Sequence, residues 1–146
     1  MQTLDTRRET PSQTAGPFVH IGCMPTHAGN AGAFGTELGT TPIAEGARGD
    51  IITIHGTIRD GMGWALRDAM IESWQADAEG RYPGQAGADP AVAGFARFAV
   101  DGVSGEFTLR TVKPGPVPAR GGAMQAPHVS LWIVARGINV GLQTRG

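Results

Sequence analysis

Metal binding is the first chemistry to consider, because this chain contains histidines and one cysteine. The histidines are His20, His27, His55 and His128. They are scattered along the sequence and do not form the closely spaced ligand pairs of a zinc site, even when Cys23 is included. We therefore interpret each histidine as structural.

Acid/base and nucleophilic catalysis find little support in the pattern of polar residues. Asp68, Glu72 and Asp77 lie on or beside a predicted strand, where carboxylates are usually solvated charges rather than an acid/base pair. Ser12 and Ser130 lack the G-x-S-x-G setting of a serine nucleophile. The glycines match neither a P-loop nor a dinucleotide fingerprint. Hydrolase and nucleotide-binding functions are thus disfavoured.

Length and charge limit the function classes further. The chain has 146 residues, a net charge of -1 and a pI near 6.4, which favours one domain over residues 1–146 and no nucleic-acid or anionic-membrane partner. No apolar run approaches the roughly 20 residues of a membrane span. Cys23 has no second cysteine to pair with, so a reducing cytoplasm is the expected location. The charged start of the chain predicts an exposed arm over residues 1–17 rather than a signal peptide.

The elements that must position any site are predicted to be strands, because apolar residues alternate with a period of two. The alternating segments are Asp50–Gly61, Ala65–Asp77, Phe95–Gly102, Gly105–Gly115 and His128–Gly137. Each ends in Gly, Pro or Asp, residues that interrupt a strand. The pattern predicts an all-β fold, an antiparallel β-sandwich.

Turn signals suggest how these strands connect. Asp60-Gly61 and Asp101-Gly102 are residue pairs that tolerate the positive φ of tight hairpins, and they predict antiparallel pairing of the strands that they join. Ala78–Gly94 is built of small residues and breakers, which predicts a loop that crosses between the sheets. One short helical turn is predicted at Phe34–Leu38.

Four segments together resemble one known family. They are "TPSQTAGPFVHIG" (residues 10–22), "IESWQADAEGRY" (71–82), "FTLRTVKPGPVP" (107–118) and "APHVSLWIVARGIN" (126–139). In this order and spacing they resemble the intradiol ring-cleaving dioxygenases, over about residues 10–145. The resemblance implies that family's β-sandwich and its cleavage of aromatic catechols with dioxygen.

The resemblance also implies where iron ligands are missing. Catalytic members of the family hold ferric iron with two tyrosines and two histidines, a donor set suited to a hard cation. At the matching positions this chain has Val117 in place of a tyrosine and Ser130 in place of a histidine, and only His128 remains. Its one tyrosine, Tyr82, matches a structural position of the family. We therefore expect Val117, His128 and Ser130 to be vestigial positions and this chain to bind no iron.

A chain without iron implies a partner that supplies it. The resemblance implies a hetero-oligomer in which a homologous chain holds Fe(III) and this chain completes its site, with no catalytic residue of its own. The residues implied to contact substrate are Thr14, Gly16 and Pro17 in the arm, and Arg136. A Gly-Pro pair gives a stiff chain with little bulk, and an arginine fork fits a substrate carboxylate.

Two other function classes remain open from the residues: a stand-alone β-sandwich binding module, and a homomeric enzyme with unrelated chemistry. Members of the family continue beyond the position that matches "INVGLQTRG", residues 138–146. The expectation is therefore a sandwich that lacks its C-terminal strands in this chain. Either another polypeptide supplies them or one sheet edge stays open to pairing.

Overall fold

Antiparallel strands and short turns make up most of the computed structural model, which describes residues 8–16 and 18–146. Within these residues the strands are β1 (Ile51–Thr57), β2 (Met70–Trp74), β3 (Phe95–Ala99), β4 (Glu106–Val112), β5 (Val117–Pro118), β6 (Met124–Gln125), β7 (Ser130–Val134) and β8 (Leu142–Arg145). The five predicted strand segments contain β1, β2, β3, β4 and β7, and the all-β prediction is confirmed.

The described strands pair in three antiparallel sheets. One has four strands in the order β3-β2-β7-β8, the second pairs β1 with β4, and β5 pairs with β6 in a small ribbon. Buried side chains of the first two sheets face each other, among them Ile71 of β2, Ile133 of β7 and Leu109 of β4. Alternation places these residues inward and polar neighbours outward. The antiparallel sandwich is therefore present.

The predicted connections between the strands are partly wrong. The turns at Asp60-Gly61 and Asp101-Gly102 join strands of different sheets, while Ala78–Gly94 joins β2 to its neighbour β3 within one sheet. The positive φ angles fall at Gly63 and Gly105 rather than at the predicted glycines. A local turn signal marks where the chain reverses but does not decide which strand becomes its hydrogen-bonded partner.

The predicted helical turn at Phe34–Leu38 is also wrong, since those residues form bends. Gly32 and Gly39 flank the segment and Gly35 lies within it, which leaves no run of helix formers there. Within the described residues the α-helix is α1 (Val19–Cys23). No helix in the described part of the chain has the length and apolar character to cross a membrane.

Helix α1 and the arm before it cover the outer face of the four-stranded sheet. Met24, just after α1, forms a buried cluster with Met70 of β2 and Val134 of β7, and Ala15 and Cys23 pack against it. Apolar burial of this kind stabilises the contact by about 25 cal/mol per Å². The arm is thereby held beside the end of β7.

Candidate functional site

Thr14 attaches the N-terminal arm to the segment that follows β7. Its hydroxyl accepts a hydrogen bond from the amide of Gly137 at 2.8 Å and lies 3.1 Å from the carbonyl oxygen of Ala135, within reach to donate. The Thr14 backbone also forms an isolated antiparallel bridge with Asn139. One side chain of the arm thus fixes the backbone on both sides of Arg136.

Arg136 is exposed to solvent, and its Nε lies beside a buried carboxylate. Its Nε lies 3.2 Å from Oδ2 of Asp68, and its side chain is 66% exposed. Within the described residues both oxygens of Asp68 lack a hydrogen-bond partner, so this contact is an ion pair and not a hydrogen bond. The structure therefore brings Thr14 and Arg136, predicted from opposite ends of the sequence, onto one surface.

The two other predicted arm residues are less defined. The carbonyl oxygen of Gly16 accepts a hydrogen bond from the amide of Val19 at 3.2 Å, at the start of α1. A Cβ atom at Gly16 would meet no atom within 4 Å, so no contact with another described residue requires glycine there. Pro17 lies outside the described residues. Substrate contact by Gly16 and Pro17 stays a prediction.

An open groove of about 330 Å³ runs between the arm and the outer face of the four-stranded sheet. Its lining is mostly apolar, and its two charged side chains, Glu72 and Arg97, bind each other through Nε and Nη2 at 2.8 and 2.6 Å. Because Glu72 and Arg97 neutralise each other, neither side chain is available to bind another charged group in the groove. Arg136 is the exposed cation beside the arm that presents two terminal amino groups.

Val117 lies in the ribbon of β5 and β6, opposite Gln125, and is 3% exposed. The turn after β2 is hydrogen-bonded to the segment that leads into this ribbon, since the amide of Gly115 donates to the carbonyl oxygen of Asp77 at 2.8 Å. A Cβ atom on Gly115 would lie 2.5 Å from the carbonyl oxygen of Ala78. Glycine is required for this close approach, and the position where the family has a phenolate is filled by hydrocarbon.

His128 and Ser130 lie at the start of β7. His128 Nδ1 is 2.8 Å from the carbonyl oxygen of Ala126, so Nδ1 carries the proton and Nε2 is the acceptor. Ser130 pairs with Trp74 on one side and Arg145 on the other. The imidazole is therefore oriented by a neighbouring backbone group, and its structural role stays a prediction.

Tyr82 is held by an aromatic neighbour. Its ring stacks on Trp74 with centroids 5.9 Å apart and an interplanar angle of 3°. Its amide donates to Oε1 of Gln85 at 2.7 Å. Stacking of this geometry fixes the ring plane, in keeping with the structural position that the resemblance implies.

The interpretation of three carboxylates as solvated charges is wrong. Asp68 is 14% exposed and faces Arg136, and Glu72 is 20% exposed and binds Arg97. Asp77 is 3% exposed. Each partner comes from a distant part of the sequence or from a turn, so spacing along the strand carried no signal for these contacts.

Asp77 organises the turn beneath the β5–β6 ribbon. Its carboxylate accepts hydrogen bonds from the amides of Glu79, Arg81 and Asp89 at 2.8–2.9 Å. Burial opposes ionisation, but these amides together keep the pKa of Asp77 below its usual value. An aspartate three residues before Gly80 is the local turn signal that could have identified this role.

His20 was not distinguished from the other histidines by its sequence. It is 8% exposed, its ring lies 5.1 Å from that of His27, and its Nε2 is buried without a hydrogen-bond partner in the described part of the chain. Burial, and then the neighbouring His27, lower the pKa of His20. It is therefore a neutral, packed histidine near pH 7.

The chain is an antiparallel β-sandwich whose N-terminal arm is bound beside an exposed arginine. A family model described as dioxygenase matches residues 25–136. The chain belongs to this family, the intradiol ring-cleaving dioxygenases. The resemblance noted in the sequence is confirmed.

Several relatives share much of the chain. The protocatechuate 3,4-dioxygenase alpha chain of Pseudomonas putida is 44% identical over 94% of this chain and 68% of its own length. The beta chain from Burkholderia cepacia is 35% identical over 48% of this chain and 32% of its own length. The structure of 3-chlorocatechol 1,2-dioxygenase from Rhodococcus opacus aligns with a TM-score of 0.62 and 27% identity, over 72% of this chain and 46% of that one.

Family membership implies iron, and the residues present here do not fit it. The positions matching the family's ligands hold a buried valine, a serine and a single imidazole, that of His128. In residues 8–16 and 18–146 no three His, Cys, Asp or Glu side chains are grouped to bind a metal. One imidazole does not hold ferric iron against water and hydroxide.

Proposed function

We propose that this chain is the alpha subunit of a heteromeric protocatechuate 3,4-dioxygenase. It has no iron of its own and completes the active site of a beta subunit that holds Fe(III). The reaction is intradiol cleavage of protocatechuate by O2 to 3-carboxy-cis,cis-muconate, a step in the breakdown of aromatic compounds. The 44% identity to an alpha chain supports this assignment, as do Val117 and Ser130 at two of the positions that match the family's ligands.

One observation carries the proposal: Thr14 binds the backbone on both sides of Arg136. The arm and the arginine therefore form a single surface that can line one side of a partner's active site. Arg136 binds the substrate carboxylate through its terminal nitrogens, and the arm, with Gly16 and Pro17, excludes water from the aromatic ring. Such groups accelerate a reaction by orientation rather than by binding metal.

Co-expression tests the assignment. The chain is purified alone and together with an iron-bearing beta chain of protocatechuate 3,4-dioxygenase, and oxygen uptake with protocatechuate is measured. We expect no turnover by the chain alone and turnover by the complex. A soluble, monodisperse chain that does not bind the beta chain would favour a stand-alone binding module, and turnover by the chain alone would favour a homomeric enzyme.

The contact with the substrate carboxylate has its own test. In the complex, Arg136→Ala removes a charge-assisted hydrogen bond worth about 1.5–3 kcal/mol, or about ten- to a hundredfold in kcat/KM. The loss is expected with protocatechuate and not with catechol, which lacks the carboxylate. Arg67→Ala, which removes an exposed charge close to Asp68 in sequence, is the matched control.

Location is part of the same proposal. The sequence contains one cysteine, Cys23, and it is a free thiol. Free thiols persist in reducing compartments, so a cytoplasmic site of action is proposed.

A further inference from the structure

Asp68 is a buried carboxylate with few compensating contacts. Its side chain is 14% exposed, and both of its oxygens are buried without a hydrogen-bond partner in the described residues. A buried charge is costly unless an opposite charge lies close. The cation within salt-bridge distance is Arg136, whose Nε is 3.2 Å from Oδ2.

His20 also interacts electrostatically with Asp68. Burial and the neighbouring His27 lower its pKa, so at neutral pH it is uncharged and supplies no counter-charge. The electrostatic environment of Asp68 therefore depends on Arg136 among the described residues.

The same contact constrains the guanidinium group. The contact is an ion pair at Nε without hydrogen-bond geometry, and the Arg136 side chain is 66% exposed, so its terminal amino groups are open to a ligand from solvent. A guanidinium group is planar and presents its terminal donors in one plane, the geometry that binds a carboxylate in bidentate fashion, and the attraction of Asp68 at Nε favours one orientation of that plane. Thr14 fixes the backbone at Ala135 and Gly137, so main chain and side chain are both held.

We propose that Asp68 is a positioning residue that orients the Arg136 guanidinium toward the carboxylate of an aromatic substrate. The inference rests on the proposed function and adds to it a residue that determines specificity. Asp68 contacts neither substrate nor iron and acts through Arg136. Its effect is therefore expected in the KM for carboxylate-bearing substrates rather than in kcat.

The experiment compares Asp68→Asn, Arg136→Ala and the double variant in the assembled alpha–beta enzyme, with protocatechuate and with catechol. Asp68→Asn is expected to raise the KM for protocatechuate about three- to tenfold, the range of one weakened charge-assisted contact. We expect a kcat and a catechol KM near those of the unmodified enzyme. In the Arg136→Ala background, Asp68→Asn is expected to change the KM no further, because its effect passes through the arginine.

A control and a second variant guard against a folding defect. Glu106→Gln removes an exposed carboxylate on β4 and is expected to leave both KM values unchanged. Asp68→Glu keeps the charge but moves it by one methylene group, and its KM for protocatechuate is expected to fall between those of the unmodified enzyme and Asp68→Asn. Thermal unfolding of each complex reports on assembly.

The outcomes separate the two proposals. A raised KM in Arg136→Ala together with an unchanged KM in both Asp68 variants would overturn the positioning role and leave the proposed function standing. An equal loss on catechol would also overturn it, since a general change in the site does not select for the carboxylate. If Arg136→Ala itself leaves the protocatechuate KM unchanged, the carboxylate contact of the proposed function fails, and the role of Asp68 fails with it.

Discussion

The Thr14 hydroxyl oxygen lies 2.8 Å from the amide nitrogen of Gly137, although 123 positions separate the two residues in the sequence. The arm has few other attachments to this end of β7, among them the bridge between Thr14 and Asn139. A surface that includes both the arm and Arg136 therefore forms only after the sandwich has folded.

Replacing Thr14 by valine is expected to release the arm from Gly137. Valine keeps the shape of threonine and removes the hydroxyl, so the Gly137 amide loses a hydrogen bond worth about 1 kcal/mol. Hydrogen exchange is expected to show faster exchange at Gly137, with Thr14→Ser close to the unmodified chain. Equal protection of this amide in Thr14→Val and Thr14→Ser would show that the hydroxyl does not hold the arm.

A buried polar contact joins the two main sheets. Thr111 in β4 donates to Oε1 of Gln75 at 2.9 Å, and Gln75 Nε2 donates to the carbonyl oxygen of Val112 at 2.8 Å. Thr111→Val leaves Oε1 of Gln75 buried without a donor and is expected to lower the free energy of unfolding by about 1–3 kcal/mol. Thr53→Val, at an exposed position of β1, is expected to change it by about 0.5 kcal/mol or less. Denaturant unfolding measures both, and similar values would contradict the role of this contact.

Protonation of His20 is expected to destabilise the fold at mildly acidic pH. Burial and His27 lower its folded-state pKa below the ordinary value of 6.5, so the unfolded chain takes up the proton first as pH falls. Stability from this group is full above about pH 7.5 and declines through 6.5 toward the folded pKa, by at most about 1.4 kcal/mol per pH unit.

His20→Gln removes this proton uptake. Its free energy of unfolding is expected to fall less steeply between pH 7 and pH 5 than that of the unmodified chain. Chemical denaturation at several pH values compares the slopes. The backbone amides that donate hydrogen bonds to Asp77 lower the pKa of its carboxyl despite burial. Asp77 therefore loses its contribution to the free energy of unfolding at lower pH, where its carboxyl is protonated. Identical slopes over pH 7 to 5 would rule out His20 as the source.

His128→Gln is expected to leave the iron content of the assembled enzyme unchanged. In this chain the imidazole is oriented by the carbonyl of Ala126, and glutamine retains a side-chain N–H that can reach it. Elemental analysis of the complex is the measurement. Loss of iron on this substitution would show that His128 serves the metal site after all.

The sequence predicted the strands better than their pairing. Alternation in β1, β2, β3, β4 and β7 is a local consequence of one face being buried, so it can be read from residues alone. Which strands pair depends on contacts between distant segments, and the Asp-Gly turns did not reveal that they connect different sheets. The strands β5, β6 and β8, with two to four residues each, are too short to show a period.

The candidate site divides in the same way. Thr14, Gly16, Pro17 and Arg136 came from resemblance to a family, because nothing in their local pattern distinguishes them from turn or surface residues. Asp68 was assigned to solvent since its partner lies 68 positions away. Burial of this carboxylate could not be predicted from the sequence, because its counter-charge comes beside it only in the folded chain.

Iron content measured chain by chain shows whether this chain binds iron itself or lacks iron and completes the site of a beta chain that holds it. The chain is purified alone and in complex with the beta chain, the stoichiometry is established by native mass spectrometry, and iron is quantified by elemental analysis. We expect near-zero iron in this chain alone and about one iron per alpha–beta pair. About one iron per isolated chain would contradict it.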